Sequence, residues 1–102
     1  MMANRLDLQT TLEELLGSRN VYYRPPSSHR MNYPGIKYSK VRPDTKHAND
    51  VTYSYMNCYE LIVISQTPDH PVIDELLKLP YCSWDRWYAA DGMNHDVLTL
   101  YY

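Results

Sequence analysis

The spacing of apolar residues along this chain changes period several times, and each change marks an element. Leu8, Leu12, Leu15 and Leu16 recur at helical spacing with Leu6 before them, while Glu13 and Glu14 fall on the polar side. This predicts an amphipathic first helix, capped by Asn4 or Asp7, ended by Gly17, and turned toward a core. Residues 20–24 predict a short strand that Pro25-Pro26-Ser27-Ser28 cannot continue. Residues 24–34 are polar and proline-rich, which fits a surface loop or an arm reaching a neighbour. Residues 35–41 read as a second strand, 43–50 as a polar hairpin connection, and 51–65 as a long strand. Val51, Tyr53, Tyr55, Tyr59, Leu61 and Val63 share one face of that strand, interrupted by Asn57. Met56, Cys58, Ile62 and Ile64 share the other, interrupted by Glu60. Both faces become apolar at Leu61-Ile62-Val63-Ile64, so this half is expected at the centre of a sheet, covered on both sides.

Gln66-Thr67-Pro68-Asp69 ends that strand. A second helix is predicted over 71–79, with Asp69 or His70 at its cap, Pro71 in its first turn, and Val72, Ile73, Leu76 and Leu77 as its apolar face. Pro80 prevents further continuation. Residues 81–89 and 96–102 predict two final strands around an Asp91-Gly92 turn. Frayed termini are usually polar. The last run here is apolar and aromatic, and is expected to be buried in a sheet, in a partner, or in both. The order α-β-β-β-α-β-β predicts one α+β domain over residues 1–102, a two-layer arrangement of a mainly antiparallel sheet with two helices on one face. The other face would carry tyrosines and meet water or another subunit.

Composition sharpens that last point. The 102 residues include eleven Tyr and two Trp but no Phe. Tyrosine has a large apolar face and a polar tip, which suits half-buried surfaces and interfaces better than a dry core. The net charge of −2 argues against a general nucleic-acid binder. Basic residues Arg24, Arg30, Lys37, Lys40, Arg42 and Lys46 lie in the first half, and Asp69, Asp74, Glu75, Asp85, Asp91 and Asp96 later. Cys58 and Cys82 read as free, small, buried side chains. No run of apolar residues has membrane length.

Candidate chemistry is sparse. His29, His47, His70 and His95 have no second histidine at metal-ligand spacing. His95-Asp96 with Asp91 offers a carboxylate-oriented imidazole, and Cys82 with His95 a thiol–imidazole pair. An apolar strand would leave Cys82 inert. Trp84 with Tyr53 and Tyr55 offers stacking platforms for single-stranded nucleic acid. Alternatively, Arg86 lies between Trp84 and Trp87 in cation–π or cross-strand contacts. With three glycines there is no phosphate-cradling loop. The reading is a non-enzymatic chain with no metal and no cofactor.

Five stretches together carry a resemblance: Leu8 to Leu16; Tyr33-Pro34-Gly35-Ile36-Lys37-Tyr38; Tyr59-Glu60-Leu61-Ile62-Val63-Ile64; Thr67-Pro68-Asp69 before Pro71-Val72-Ile73; and Arg86-Trp87-Tyr88 with Asn94-His95-Asp96. In this order, over nearly the whole chain, they resemble the tail-terminator and tail-completion (neck) proteins of long-tailed bacteriophages. The likeness is topological, and the two terminal strands extend beyond the simplest members. It implies a structural virion protein, assembled in the host cytoplasm, that forms a homo-oligomeric ring, commonly a hexamer, at the head-proximal end of the tail tube. The ring would terminate tail assembly and mediate head–tail joining. Its partners would be further copies of itself, the tail tube protein and a head-closure or connector protein, with DNA passing the lumen without specific binding and no membrane involved. Candidate ring or docking contacts in the first half are Tyr22, Tyr23, Arg24, Arg30, Tyr33, Arg42 and Lys46. Those in the second half are Tyr53, Tyr55, Trp84, Arg86, Trp87, Tyr101 and Tyr102. A head-side neck or head-closure role is the alternative, followed by a small nucleic-acid-binding α+β module.

Overall fold

The apolar stretches close into one sheet. The computed structural model describes residues 5–42 and 56–102. Among these residues the elements run α1 (Arg5–Leu16), β1 (Val21–Tyr23), β2 (Gly35–Val41), β3 (Cys58–Ser65), α2 (Pro71–Leu77), β4 (Cys82–Ala90) and β5 (Met93–Tyr101). The fold is α+β, with the five strands in spatial order β1-β2-β3-β5-β4. The β1–β2 pair is parallel. The remaining pairs are antiparallel.

Leu8 and Leu12 of α1 and Val72, Ile73 and Leu76 of α2 are buried in one cluster with Ile36, Tyr38, Tyr59, Leu61, Val63, Leu98 and Leu100. The strand members stand directly opposite one another: Ile36 with Val63, Tyr38 with Leu61, Tyr59 with Leu100 and Leu61 with Leu98. Paired residues project to the same side of a sheet, so these side chains share a face. On the opposite face Ile64 and Val97 are also buried and Ile62 is half-buried. β3 lies between β2 and β5, as its doubly apolar run predicts.

Local chemistry sets the element ends. Gly17 adopts φ +80°, and its N–H donates to Glu13 O at 2.9 Å, closing α1. Asp7 lies inside the first turn of α1, so it is not the cap. His70 caps α2: its Nδ1 accepts from Val72 N at 3.1 Å, ahead of Pro71. α2 ends at Leu77, two residues before the predicted end, because Lys78 and Leu79 bond back to Glu75 O and Leu76 O in a tighter turn. Leu79 still packs on the core. Asp91 and Gly92 have φ +54° and +74°, the geometry of a two-residue type I′ turn. The turn pairs Ala90 directly with Met93, so β5 begins three residues before the expected start at 96. The Asn4 cap, the 43–50 connection with His47 and Lys46, and the 51–55 part of the long strand with Tyr53 and Tyr55 lie outside the described residues.

The expectation that tyrosines avoid the dry core is corrected. Tyr38 and Tyr59 are 1% and 0% exposed and lie at its centre. Tyr23, Tyr38 and Tyr59 form a run of rings with centroids 5.0 and 6.0 Å apart. The polar tips are handled unequally. Tyr38 Oη donates to Gln9 Oε1 at 2.6 Å and accepts from Arg5 at 3.4 Å. Tyr59 Oη has no hydrogen-bond partner among the described residues, and the charge of Arg5 and the nearby Asn57 side chain offset its burial only in part. Burial raises the pKa of both hydroxyls, so both stay protonated in the folded chain.

Two predictions follow from this core. Tyr38→Phe takes the donor from Gln9 Oε1 and is expected to lose about 1 kcal/mol in urea unfolding, while Tyr59→Phe removes a desolvated hydroxyl and is expected to be neutral or stabilising. Equal losses from both would contradict the difference in their surroundings. Removal of Leu100-Tyr101-Tyr102 takes away a buried leucine of a strand paired on both sides. It is expected to cost at least the roughly 2–5 kcal/mol of a buried Leu→Ala change, read as a large fall in melting temperature.

Candidate functional site

Two aromatic surfaces lie at opposite edges of the sheet, and most of the described candidate contacts divide between them. At the β1 edge, Tyr23 carries the Arg5 guanidinium 4.3 Å above its ring. Tyr22 Oη accepts from Asn32 N at 3.0 Å, and its ring meets His29 at 5.3 Å. Tyr22 and Tyr23 line a shallow hollow of about 370 Å³ with Arg5, Gln9, Pro25 and His29. Arg24, with φ +47°, turns the chain out of β1 and lines a second hollow with Lys37, Ser39 and Glu60. Arg30, Tyr33 and Arg42 are exposed. Tyr101 and Tyr102 are half-buried: Tyr102 packs on the core and exchanges two backbone hydrogen bonds with Asn57.

At the other edge stands β4, exposed along almost its whole length. The structure corrects the sandwich of Arg86 between two indoles. Trp84 pairs with Leu98, Arg86 with Val97 and Trp87 with Asp96, with a register shift between Trp84 and Arg86. Asp85 is the extra residue of a β-bulge, held where its carboxylate accepts from Thr99 Oγ1 at 2.5 Å. The bulge puts Trp84 and Trp87 on one face, although they are three residues apart, and turns Arg86 to the other. Trp84 is 43% and Trp87 60% exposed.

Together the indoles form the wall of a cleft of about 340 Å³, lined also by Pro68, Asp69, Ile73, Asn94 and Asp96. Three elements and a loop converge there: Pro68 and Asp69 precede α2, Ile73 lies on α2, the tryptophans on β4, and Asn94 and Asp96 on β5. Trp84 Nε1 donates to Asp96 Oδ2 at 3.0 Å, fixing the carboxylate beside the indole. Asp69 is held at φ +56°, a left-handed conformation that Asp tolerates. Asp69, Asn94, Ile73 and Pro68 were not marked as contacts by the sequence. The Asp91-Gly92 turn was the available signal, since it sets the pairing of β4 and β5 from Ala90–Met93 as far as Arg86–Val97, where the bulge shifts it.

The hypothetical catalytic groups do not converge. Cys82 pairs with Leu100 and shares its face, whereas His95 pairs with Tyr88 on the opposite face and stacks on that ring at 4.7 Å. Asp96 is bound by Trp84, and adjacent strand residues point to opposite sides, so it does not orient His95. Among the described residues no three His, Cys, Asp or Glu side chains are gathered to hold a metal ion. Both cysteines are free. Burial, then the charge of Asp85, pushes the Cys82 thiol up to about 11, and burial also raises Cys58. Of the proposed nucleic-acid platforms, Trp84 is committed to an acidic cleft that repels phosphate, and Tyr53 and Tyr55 lie outside the described residues. No helix among the described residues is long and apolar enough to cross a membrane. No known family model, curated protein or solved structure matches the chain.

A thiol with this raised pKa is a poor nucleophile at neutral pH. Alkylation of Cys82 by iodoacetamide, followed by mass spectrometry, is expected to be slow at pH 8 and to rise until pH approaches about 11. In the unfolded chain the plateau comes near the ordinary 9.0. The same shift stabilises the fold below the unfolded pKa, and that contribution is lost as pH rises through the 9-to-11 window. Folded-state labelling at pH 8 as fast as in denaturant would contradict this environment.

Proposed function

We propose that this chain is a structural subunit that acts by assembly, a tail-terminator or neck ring component of a long-tailed bacteriophage virion. The observation that carries the reading is β4: a nine-residue outer strand, exposed along nearly all its length, that displays Trp84, Trp87 and Tyr88. Exposed aromatic side chains in this density mark surfaces made for another protein. The opposite edge adds Tyr22, Tyr23 and the exposed Arg24, giving a subunit two unlike edges. Unlike edges suit head-to-tail contacts, and such contacts close into rings when the rotation allows. The α-β-β-β-α-β-β order and the resemblance of its motifs supply the phage context. The head-side neck role makes the same demands on the subunit and is the second reading.

Sedimentation velocity across a concentration series reaching about 100 µM, about a hundredfold above a micromolar Kd, checks assembly, with negative-stain images of the heaviest species. Closed rings are expected because head-to-tail contacts close where the rotation allows, and about six copies because the phage resemblance implies that number. A monomer throughout, with no rings in the images, would overturn the reading.

A further inference from the structure

We infer that the cleft between β4, β5 and the start of α2 is a binding site for the guanidinium group of an arginine presented by a partner polypeptide. The cleft combines the two things such a group needs. Trp84 and Trp87 are partly exposed, so planar π-surface lines the opening. Tryptophan is the strongest aromatic partner for a cation, and a guanidinium stacks on it as well as being attracted by it. Asp69 and Asp96 add two carboxylates, and no lysine or arginine is among the described residues that line the cleft. Neither carboxylate takes part in an ion pair among the described residues, where Lys78–Glu75 is the pair present.

Asp96 is also oriented in advance. Trp84 Nε1 holds Oδ2 at 3.0 Å, so the carboxylate is fixed at the edge of the indole with its second oxygen not used by that bond. A guanidinium lying on the indole could direct its N–H fork into that carboxylate while Asn94 offers a carbonyl acceptor. An ammonium lacks the planar fork and stacks less well. A neutral sugar would use the tryptophan faces but would gain little from two uncompensated negative charges. The recognition is the same whether the chain forms a ring or acts alone.

The test exploits composition. Trp84 and Trp87 are the chain's two tryptophans, so its indole emission reports on this cleft. The full chain is titrated with the tripeptide acetyl-Gly-Arg-Gly-amide, and in parallel with its lysine and citrulline counterparts and with cellobiose. The arginine peptide is expected to shift the emission with a Kd of about 1 mM, and the citrulline peptide, which keeps the shape without the charge, to bind at least about tenfold more weakly. Asp96→Asn keeps an acceptor for Trp84, and Asp69→Asn keeps a residue that tolerates left-handed backbone, so both should fold. Each is expected to weaken the arginine peptide about tenfold, as loss of a charge-assisted bond does. Raising salt is expected to weaken binding further. An unchanged emission at about 50 mM arginine peptide, fifty times the expected Kd, would overturn the inference. So would equal responses to arginine and lysine or to arginine and citrulline, or a response to cellobiose alone.

Discussion

The placement of β5 between β3 and β4 is the constraint on which the rest of the structure depends. β5 follows β4 in sequence but separates it from the body of the sheet. β4 has no other strand neighbour among the described residues, and its own side chains are mostly exposed. What fixes β5 is burial on both faces: Leu98 and Leu100 enter the central cluster while Val97 is buried on the reverse side. A one-residue slip would send Leu98 and Leu100 to the wrong face and Val97 into their place, so the register is strongly specified. That register carries over to the cleft beside β4. Asp96 lies beside Trp84 and Trp87 only because its neighbour Val97 must point the other way.

The core follows a second logic, set by a sequence rich in Tyr and without Phe. A buried ring that carries a hydroxyl must find a partner or bear the cost of desolvation. Tyr38 finds Gln9 and Arg5, both on α1, so the hydroxyl ties the helix to the sheet at a defined height. Gln9 also donates to Glu13 and to Val21 O at the start of β1. One polar side chain thereby joins helix, edge strand and core ring. Tyr23 extends the same run of rings outward, under Arg5, to the exposed edge. The aromatic surface at the β1 edge is therefore continuous with the interior.

The fold was largely legible because the strongest patterns were long and two-sided. The doubly apolar Leu61-Ile62-Val63-Ile64 run placed β3 centrally, and Pro71 after His70 marked the start of α2. Two things were hidden. Propensity treats tyrosine as an interfacial residue, and only the fold supplies the Gln9 acceptor that makes Tyr38 a core residue. Strict alternation along β4 puts Trp84 with Arg86 and opposes Trp87, and one extra residue reverses that. The bulged Asp85 accepts a side-chain bond from Thr99, fourteen residues away. No local pattern in β4 announces it, so the paired indoles were found as aromatic residues but not as the wall of a cleft.

That bulge also bears on why an exposed edge strand is tolerated. A long, flat outer strand pairs indiscriminately with other strands, and bulges are one way of preventing this. Here the interruption falls between the two tryptophans, in the middle of the edge. It breaks the run of regular backbone groups on which strand addition relies, and it turns two large side chains toward α2 and the carboxylates. What the edge then presents is less a backbone that any strand can satisfy than side chains of a particular shape and charge. An edge arranged this way resists promiscuous strand pairing while still presenting apolar area.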